Sequence, residues 1–352
     1  TGSALIDLKD QIAPITARVV STAEERRQTV NDLHLSSGRW LDRDRPNEAI
    51  LSRDFAGLHG IDVGDRLTVT LNGQRRHLII VGGGPIGVEM AQAHRHLGAE
   101  VTILEMASLM PKDDEELVAV VRARLIADGV AVEEGCRVIR VEAAAEGVAV
   151  VVGGDGSERR IEGSHLLLAT GRRPNVDGLD LETGGIAYTP AGISVDGRLR
   201  TSDKKVFALG DVIGDLQFTH MAGYHAGIVI RNALFRLPAK VKRGAVPWVT
   251  YTAPELAQVG LTEAAARAQG LDFRVLRWAF AENDRAQAEN LTDGSVKAIV
   301  TGKGKILGAG IVGAHAGDLI QSWVLAIDQG IKIGALASMI APYPTLGEVS
   351  KR

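Results

Sequence analysis

Over residues 77–171 short runs of consecutive apolar residues trade places with stretches in which apolar residues return every three or four positions. Residues 78–81 are four apolar positions in a row, as a strand covered on both faces requires. Ile86, Met90, Ala93 and Leu97 then recur at helical spacing, and Gly98 ends that helix. A second buried strand, Glu100–Leu104, follows. The stretch DDEELVAVVRARLIADG predicts an amphipathic helix with Asp113 and Asp114 at its start, Leu117, Val120, Val121 and Leu125 on one face, and Gly129 as its stop. Further strands are predicted at 130–133, 137–142, 148–152, 165–169 and 204–209, the last running into Gly210 and Asp211. From Pro247 onward strands and helices alternate again. A helix over 316–329 carries Leu319, Ile320, Trp323, Val324 and Ile327 on one stripe, more than a solvated helix needs. Core packing explains that stripe, and a subunit interface is its more specific form.

Residues 1–76 have a different pattern. Short strands are predicted at 18–21 and 48–52, and a helical turn at 53–59 stopped by Gly60. In DRLTVTLNGQRRHLII two alternating runs meet at Asn72-Gly73, the dipeptide best suited to the positive φ angles of a type I′ hairpin turn. The returning strand, 74–80, is then wanted twice, by the hairpin and by the parallel sheet that 78–81 opens. Both are satisfied if 74–77 pair with the hairpin and 78–81 continue into the sheet.

The loop after that strand supplies the first chemistry. Gly82, Gly84 and Gly87 stand at the G-x-G-x-x-G spacing, with a strand before them and a helix after. In such a loop the first glycine allows the tight turn, the second lets the backbone approach a pyrophosphate, and the third lets helix and strand pack closely. The helix then presents free N–H groups and its positive dipole end to an anion. Glu105 closes the next strand at the distance where an acid takes ribose hydroxyls, and its charge would repel a 2′-phosphate, so NAD (NADH) is expected over NADP.

Composition sets the limits. The chain has 352 residues, of which 45% are hydrophobic and 24% charged, enough for two or three well-cored domains. Its formal charge is −3 with both signs mixed, which gives no electrostatic case for nucleic acid or an anionic membrane. No apolar run is long enough for a membrane-spanning segment and no signal peptide is visible, so a cytoplasmic location is expected. The one cysteine, Cys136, is read as a small residue at a strand edge. The pairs His94 and His96, and His220 and His225, point apart on their helices, so no metal site is expected from either. Arg172-Arg173 could touch a phosphate or be a solvated basic pair, and Lys240, Lys242 and Arg243 read as a charged linker.

Six motifs in order, VGGGPIGVEMA, LLLATGRRPN, VFALGDV, THMAGYHAG, YTAPELAQVGLTE and YPTLGE, resemble the flavin-dependent pyridine nucleotide–disulfide oxidoreductases, the family of dihydrolipoamide dehydrogenase, glutathione reductase and mercuric reductase. The resemblance covers residues 78–352. It implies an α/β protein with a Rossmann-type NAD domain, a partial FAD-domain segment, a C-terminal α+β dimerisation domain and a small β-rich N-terminal segment. The divisions are 1–76, 77–171, 172–243 and 244–352. It implies hydride transfer between NADH and FAD and a homodimer. Gly82, Gly84, Gly87 and Glu105 would hold NAD with Gly171 closing the site. Glu89 would lie near nicotinamide and flavin, and Asp211, after Gly210, would accept a hydrogen bond from the flavin's ribityl chain. The helix begun near Thr219 would aim its positive end at the flavin.

The departures are equally specific. The family's N-terminal FAD segment, with its redox cysteine pair and the lysine that partners Glu89, has no counterpart in these residues. Pro85 stands where many members carry a tyrosine over the flavin, and Tyr343 and Glu348 occupy the places of a His–Glu acid–base pair. Tyrosine is a poor base near neutral pH, so disulfide chemistry is not expected. Residues 35–82 resemble instead the extracytoplasmic domain of macrolide-exporter and lipoprotein-releasing ABC-transporter permeases, through G-R-W, N-E-A-I-L-S, V-G-D, the hairpin and I-V-G. Non-catalytic NAD binding, an interaction module and a fusion of unrelated parts are the alternatives to an enzyme.

Overall fold

A computed structural model describes residues 2–8, 11–17, 68–70, 76–145, 147–154 and 157–351, the first three stretches as backbone strands. The chain divides into two compact units, Thr1–Arg75 and Arg76–Arg352. In the first, β1 (Gly2–Leu8) pairs antiparallel with β2 (Gln11–Ala17) and, on its other edge, with β3 (Thr68–Thr70). The predicted Asn72-Gly73 turn, the segments at 18–21 and 48–59, and the permease-like motifs upstream of residue 68 lie outside the described residues.

The second unit is built on the strand that the apolar run predicts. β4 (His77–Val81) lies between β10 (His165–Leu168) and β5 (Glu100–Leu104), parallel to both, with β6 (Ala131–Glu133) beyond β5. Helices α1 (Pro85–His96) and α2 (Glu115–Ala127) make the crossovers. Their side of the sheet buries Ile80, Val88, Ala91, Ile103, Leu117, Val121 and Leu125 together. On the opposite face an antiparallel meander, β7 (Arg137–Ala144), β8 (Gly147–Gly154) and β9 (Ser157–Gly163), buries Val150 and Val152 against Ile79 and Leu104. Cover on both faces explains why 78–81 do not alternate. The strand β9, whose run SERRIEG is mostly polar, went unpredicted.

The face of α1 that packs inward differs from the one its apolar stripe suggests. Gly87, Val88, Ala91 and Gln92 are buried, while Ile86, Ala93 and Leu97 are exposed. Close approach of helix to strand selects the small residues, and the larger apolar ones are left outside. Gln92 is buried because it is satisfied: its amide donates to Asp128 Oδ2 (2.8 Å) and Ala253 O (2.9 Å) and accepts from Ala253 N (2.7 Å).

Between residues 172 and 243 regular structure is sparse. β11 (Tyr188–Thr189) and β12 (Gly192–Ile193) form a two-stranded ribbon. The strand expected at 204–209 does not form. Phe207 makes a single antiparallel bridge to Arg200, and the chain passes into a 3-10 turn at Gly210–Ile213 and then α3 (Thr219–Ala233). A strand is stable only beside a neighbour that takes its backbone hydrogen bonds, and among the described residues only that bridge is offered.

The C-terminal part is a five-stranded antiparallel sheet ordered β13 (Pro247–Thr250), β14 (Glu255–Gly260), β17 (Ile306–Gly313), β16 (Ser295–Val300), β15 (Arg274–Ala279). Short helices flank it: α4 (Glu263–Ala268), α5 (Asp284–Glu289), α6 (Ala316–Leu319), α7 (Gln321–Asp328) and α8 (Ile333–Ser338). The single helix predicted over 316–329 is thus two, broken at Ile320. Ile320 and Trp323 are buried in this domain's own core, with Leu319, Val324 and Ile327 packed against it. That stripe therefore serves the core, while Leu325, Ile340 and Tyr343 are among the apolar residues left exposed in this part.

α2 ties the two sheets together. Leu256 and Val312 join the cluster beneath it, and Lys297 of β16, with 5% of its side chain exposed, reaches Asp114 (2.8 Å), Glu263 (2.8 Å) and Glu116 (2.9 Å). Asp114 also caps α2 by accepting from Glu116 N, and Arg277 forks onto Glu116. Burial works against the Lys297 charge, but the Asp114, Glu263 and Glu116 carboxylates outweigh it and hold the ammonium's pKa above its usual value.

Candidate functional site

The glycine loop sits at the carboxyl ends of β4, β5 and β10, where open parallel sheets bind ligands. Each glycine has a separate cause. A Cβ at Gly82 (φ +109°) would lie 2.5 Å from Ala169 O, so this turn excludes a side chain. A Cβ at Gly87 would lie 1.9 Å from Gly82 O, so the helix could not seat on the strand. At Gly84 a Cβ would meet nothing within 4 Å. Gly84 is the N-cap of α1 and offers no side chain to its first turn, Pro85 follows at the first position, and no acidic residue stands there. The N–H groups a helix leaves without internal partners are therefore open to an outside acceptor.

Glu105 is fixed by the loop it serves. Its Oε2 accepts from Gly83 N (2.6 Å) and its Oε1 from Ala107 N (2.9 Å). One end of the acid holds the turn while lone pairs remain for hydroxyl donors. Met106, Leu168 and Gly171 (φ +113°) stand at the exposed rim above the strand ends.

Glu89 lies one turn along α1 from the loop. Its Oε1 accepts from Tyr251 N (2.8 Å), and among the described residues it makes no ion pair. A backbone amide of the C-terminal domain thus orients this carboxylate. With Gln92 clasping Ala253, both anchor α1 to the turn that follows β13.

Gly210 (φ +72°) packs on α3, where a Cβ would come 3.2 Å from Ala222 Cβ, and Asp211 beside it is exposed. α3 opens at Phe218 with no side-chain cap and no acid in its first turn. His220 donates from Nε2 to Pro247 O (2.9 Å) and stacks on Phe218. Arg172 donates to Gln217 O, and Arg243 and Lys242 pair with Asp215 and Asp328.

Tyr343 and Glu348 do not meet as a hydrogen-bonded pair. The Tyr343 hydroxyl donates to Asp284 Oδ2 (2.9 Å), and this bond, with the charges of Asp284 and Glu348, raises the phenol's pKa. Tyr343 is thus a donor at neutral pH, with Asp284 as the partner that sequence reading missed across 59 positions. Burial and the Glu133 charge also raise the Cys136 thiol, which favours its protonated, less nucleophilic form. Among the described residues no group of three His, Cys, Asp or Glu side chains is placed to hold a metal ion.

A parallel sheet with a glycine loop, a helix N-terminus and an acid at the next strand end, followed by an antiparallel domain, defines the dinucleotide-binding α/β class. Comparison with known proteins makes that class specific. The family model for pyridine nucleotide-disulphide oxidoreductases matches residues 9–226, and the model for the dimerisation domain of the same family matches residues 246–352. The chain belongs to the pyridine nucleotide-disulphide oxidoreductase family. It is 37% identical to the dihydrolipoyl dehydrogenase of Geobacillus stearothermophilus, over 78% of this chain and 59% of that protein. It is 35% identical to the mercuric reductase of Lysinibacillus sphaericus, over 91% of this chain and 59% of that protein. Among solved structures, the HOCl-induced flavoprotein disulfide reductase RclA of Escherichia coli superposes with a TM-score of 0.71 at 33% identity, covering 80% of this chain and 65% of that one. The chain spans about three-fifths of the curated relatives it matches. The oxidoreductase model begins at residue 9 and so runs through the stretch with permease-like motifs.

Proposed function

We propose that this chain is an NADH-dependent flavin oxidoreductase unit, in which 77–171 hold NADH, 172–243 contribute part of an FAD site, and 244–352 pair two copies. The observation that carries the reading is Gly84, an open Cβ position at the N-terminus of α1, beside an acid clamped by Gly83 N. The pyrophosphate would lie against Gly84 and the first-turn N–H groups, with Glu105 on the ribose hydroxyls and Gly171 at the rim. Glu105 is also the reason NADH is preferred over NADPH. Glu89, oriented by Tyr251 N, would stand by the nicotinamide, while Asp211 and the uncapped start of α3 would meet the flavin. Together the bound cofactors supply hydride transfer, and the chain's part is to orient them and exclude water. Tyr343, with its one proton committed to Asp284, would offer only its oxygen lone pairs at the acceptor side, with Glu348 setting the local charge. The dimerisation-domain match and the exposed Leu325 and Ile340 support a homodimer, and a cytoplasmic setting goes with the single cysteine.

The test is an equilibrium titration with NADH and NADPH, on the parent chain and Glu105→Gln. NADH should bind more tightly than NADPH, and the variant should narrow the difference. Equal affinity of the parent for both would overturn the assignment of Glu105. Because the chain spans 59% of its relatives, NADH binding without flavin is the second reading, and it predicts binding with no retained FAD. An interaction role for the permease-like motifs within residues 35–82 rests on those motifs alone and predicts capture of a membrane partner by residues 1–76.

A further inference from the structure

The Gly210–Asp211 turn has lost the strand that should lead into it, so something else must hold it in place. One side chain is positioned to do so. His225, on α3 and fully buried, lies with Nδ1 3.3 Å from Gly210 N. Since Gly210 N–H is the donor, Nδ1 must carry the lone pair, and the neutral ring's proton is on Nε2. Nε2 is itself buried and, among the described residues, has no hydrogen-bond partner.

We propose that His225 is the positioning residue of the Gly210–Asp211 turn, holding it through Nδ1 only while the ring is neutral, so that flavin affinity falls as His225 takes a proton. The inference rests on the flavin reading above. A protonated ring is a donor at both nitrogens, and an N–H facing the Gly210 N–H breaks the contact. The charged groups around it do not rescue the cation. Burial, the largest influence, lowers the pKa; Asp215 favours the proton and Arg243 opposes it, and these two are paired with each other at 2.7 Å. Tyr224, the ring neighbour on the same helix, accepts at its hydroxyl oxygen from Lys242 N. Asp211 itself is exposed on the turn. The sign follows from a folded pKa below the reference 6.5: the contact is intact above pH 6.5 and is lost as pH falls below it, through the folded value.

The experiment is a pH titration from 8 to 5 of the full chain labelled with 15N at histidine and glycine, run beside FAD binding by flavin fluorescence. The His225 ring should carry its proton on Nε2 at pH 8, and the Gly210 amide should shift with the same midpoint as the ring. FAD affinity should fall below that midpoint, approaching tenfold per pH unit for one coupled proton. His225→Asn, whose Oδ1 replaces Nδ1 as an acceptor that cannot titrate, should remove the midpoint from both readouts. His225→Leu, with no acceptor, should weaken FAD binding at every pH. A ring protonated on Nδ1, a Gly210 amide unmoved through the His225 midpoint, or a pH-independent FAD affinity in the parent chain would overturn the proposal. If FAD binds at no pH, the flavin reading fails separately, and the Gly210 titration alone decides whether His225 holds the turn.

Discussion

The glycine loop allows fold and function to be separated by one methyl group. Gly84→Ala adds a Cβ where nothing lies within 4 Å, at φ −72° and ψ −179°, angles that alanine adopts freely. Losing glycine at an N-cap costs about 1 kcal/mol, and stiffening the unfolded chain returns roughly 0.4–1 kcal/mol, so net stability should change little. The methyl nevertheless projects into the space the pyrophosphate would take. Overpacking of about 1–3 kcal/mol there corresponds to NADH binding weakened about 5- to 150-fold. Gly87→Ala reverses the pattern, because a Cβ 1.9 Å from Gly82 O forces α1 off β4. Its cost should be about 3 kcal/mol or more, since backbone must move. The assay is thermal unfolding of both variants beside NADH titration by fluorescence. Gly84→Ala should keep the parent melting temperature and lose NADH, whereas Gly87→Ala should lose several degrees. A Gly84→Ala chain that binds NADH like the parent would refute the placing of the pyrophosphate.

Lys297→Met should destabilise the Arg76–Arg352 unit by about 3 kcal/mol, read by denaturant unfolding, because Asp114 stays buried with its counter-ion gone. A variant as stable as the parent would contradict the role given to that cluster. The Arg277 hydrogen bond, helped by Lys297, holds Glu116 at about 2 against a reference of 4.5. Its contribution is therefore full above pH 4.5 and lost as pH falls towards 2, and with 43% of the side chain exposed it should not exceed about 1 kcal/mol. Glu116→Gln should flatten that part of the stability–pH curve; an unchanged curve sinks the assignment. Amides of 206–209, held by a single bridge and by turns, should exchange faster than those of β4, and equal protection would mean a covering that Val206's exposure does not suggest.

Which parts were readable follows from the range of the forces involved. The β4–α1–β5 unit is set by neighbours in sequence, so run, loop, helix and acid could be placed from residue types alone. The inward face of α1 could not, because close packing chose Gly87 and Ala91 over larger apolar residues, and Gln92 is buried by partners up to 161 positions away. The strand at 204–209 has the right residues and lacks the neighbours. Tyr343 was placed from its motif, but Asp284 carries no local mark of being its partner. His225 looked like an ordinary helical histidine until Gly210 N appeared against its ring.

The most direct measurement of the central claim is the visible absorption spectrum of the chain after incubation with FAD and gel filtration, repeated without oxygen after adding NADH. The account predicts a retained flavin band that NADH bleaches, to a lesser degree with Gly84→Ala. A chain that emerges without flavin, or whose bound flavin stays oxidised in excess NADH, would contradict hydride transfer between NADH and FAD here.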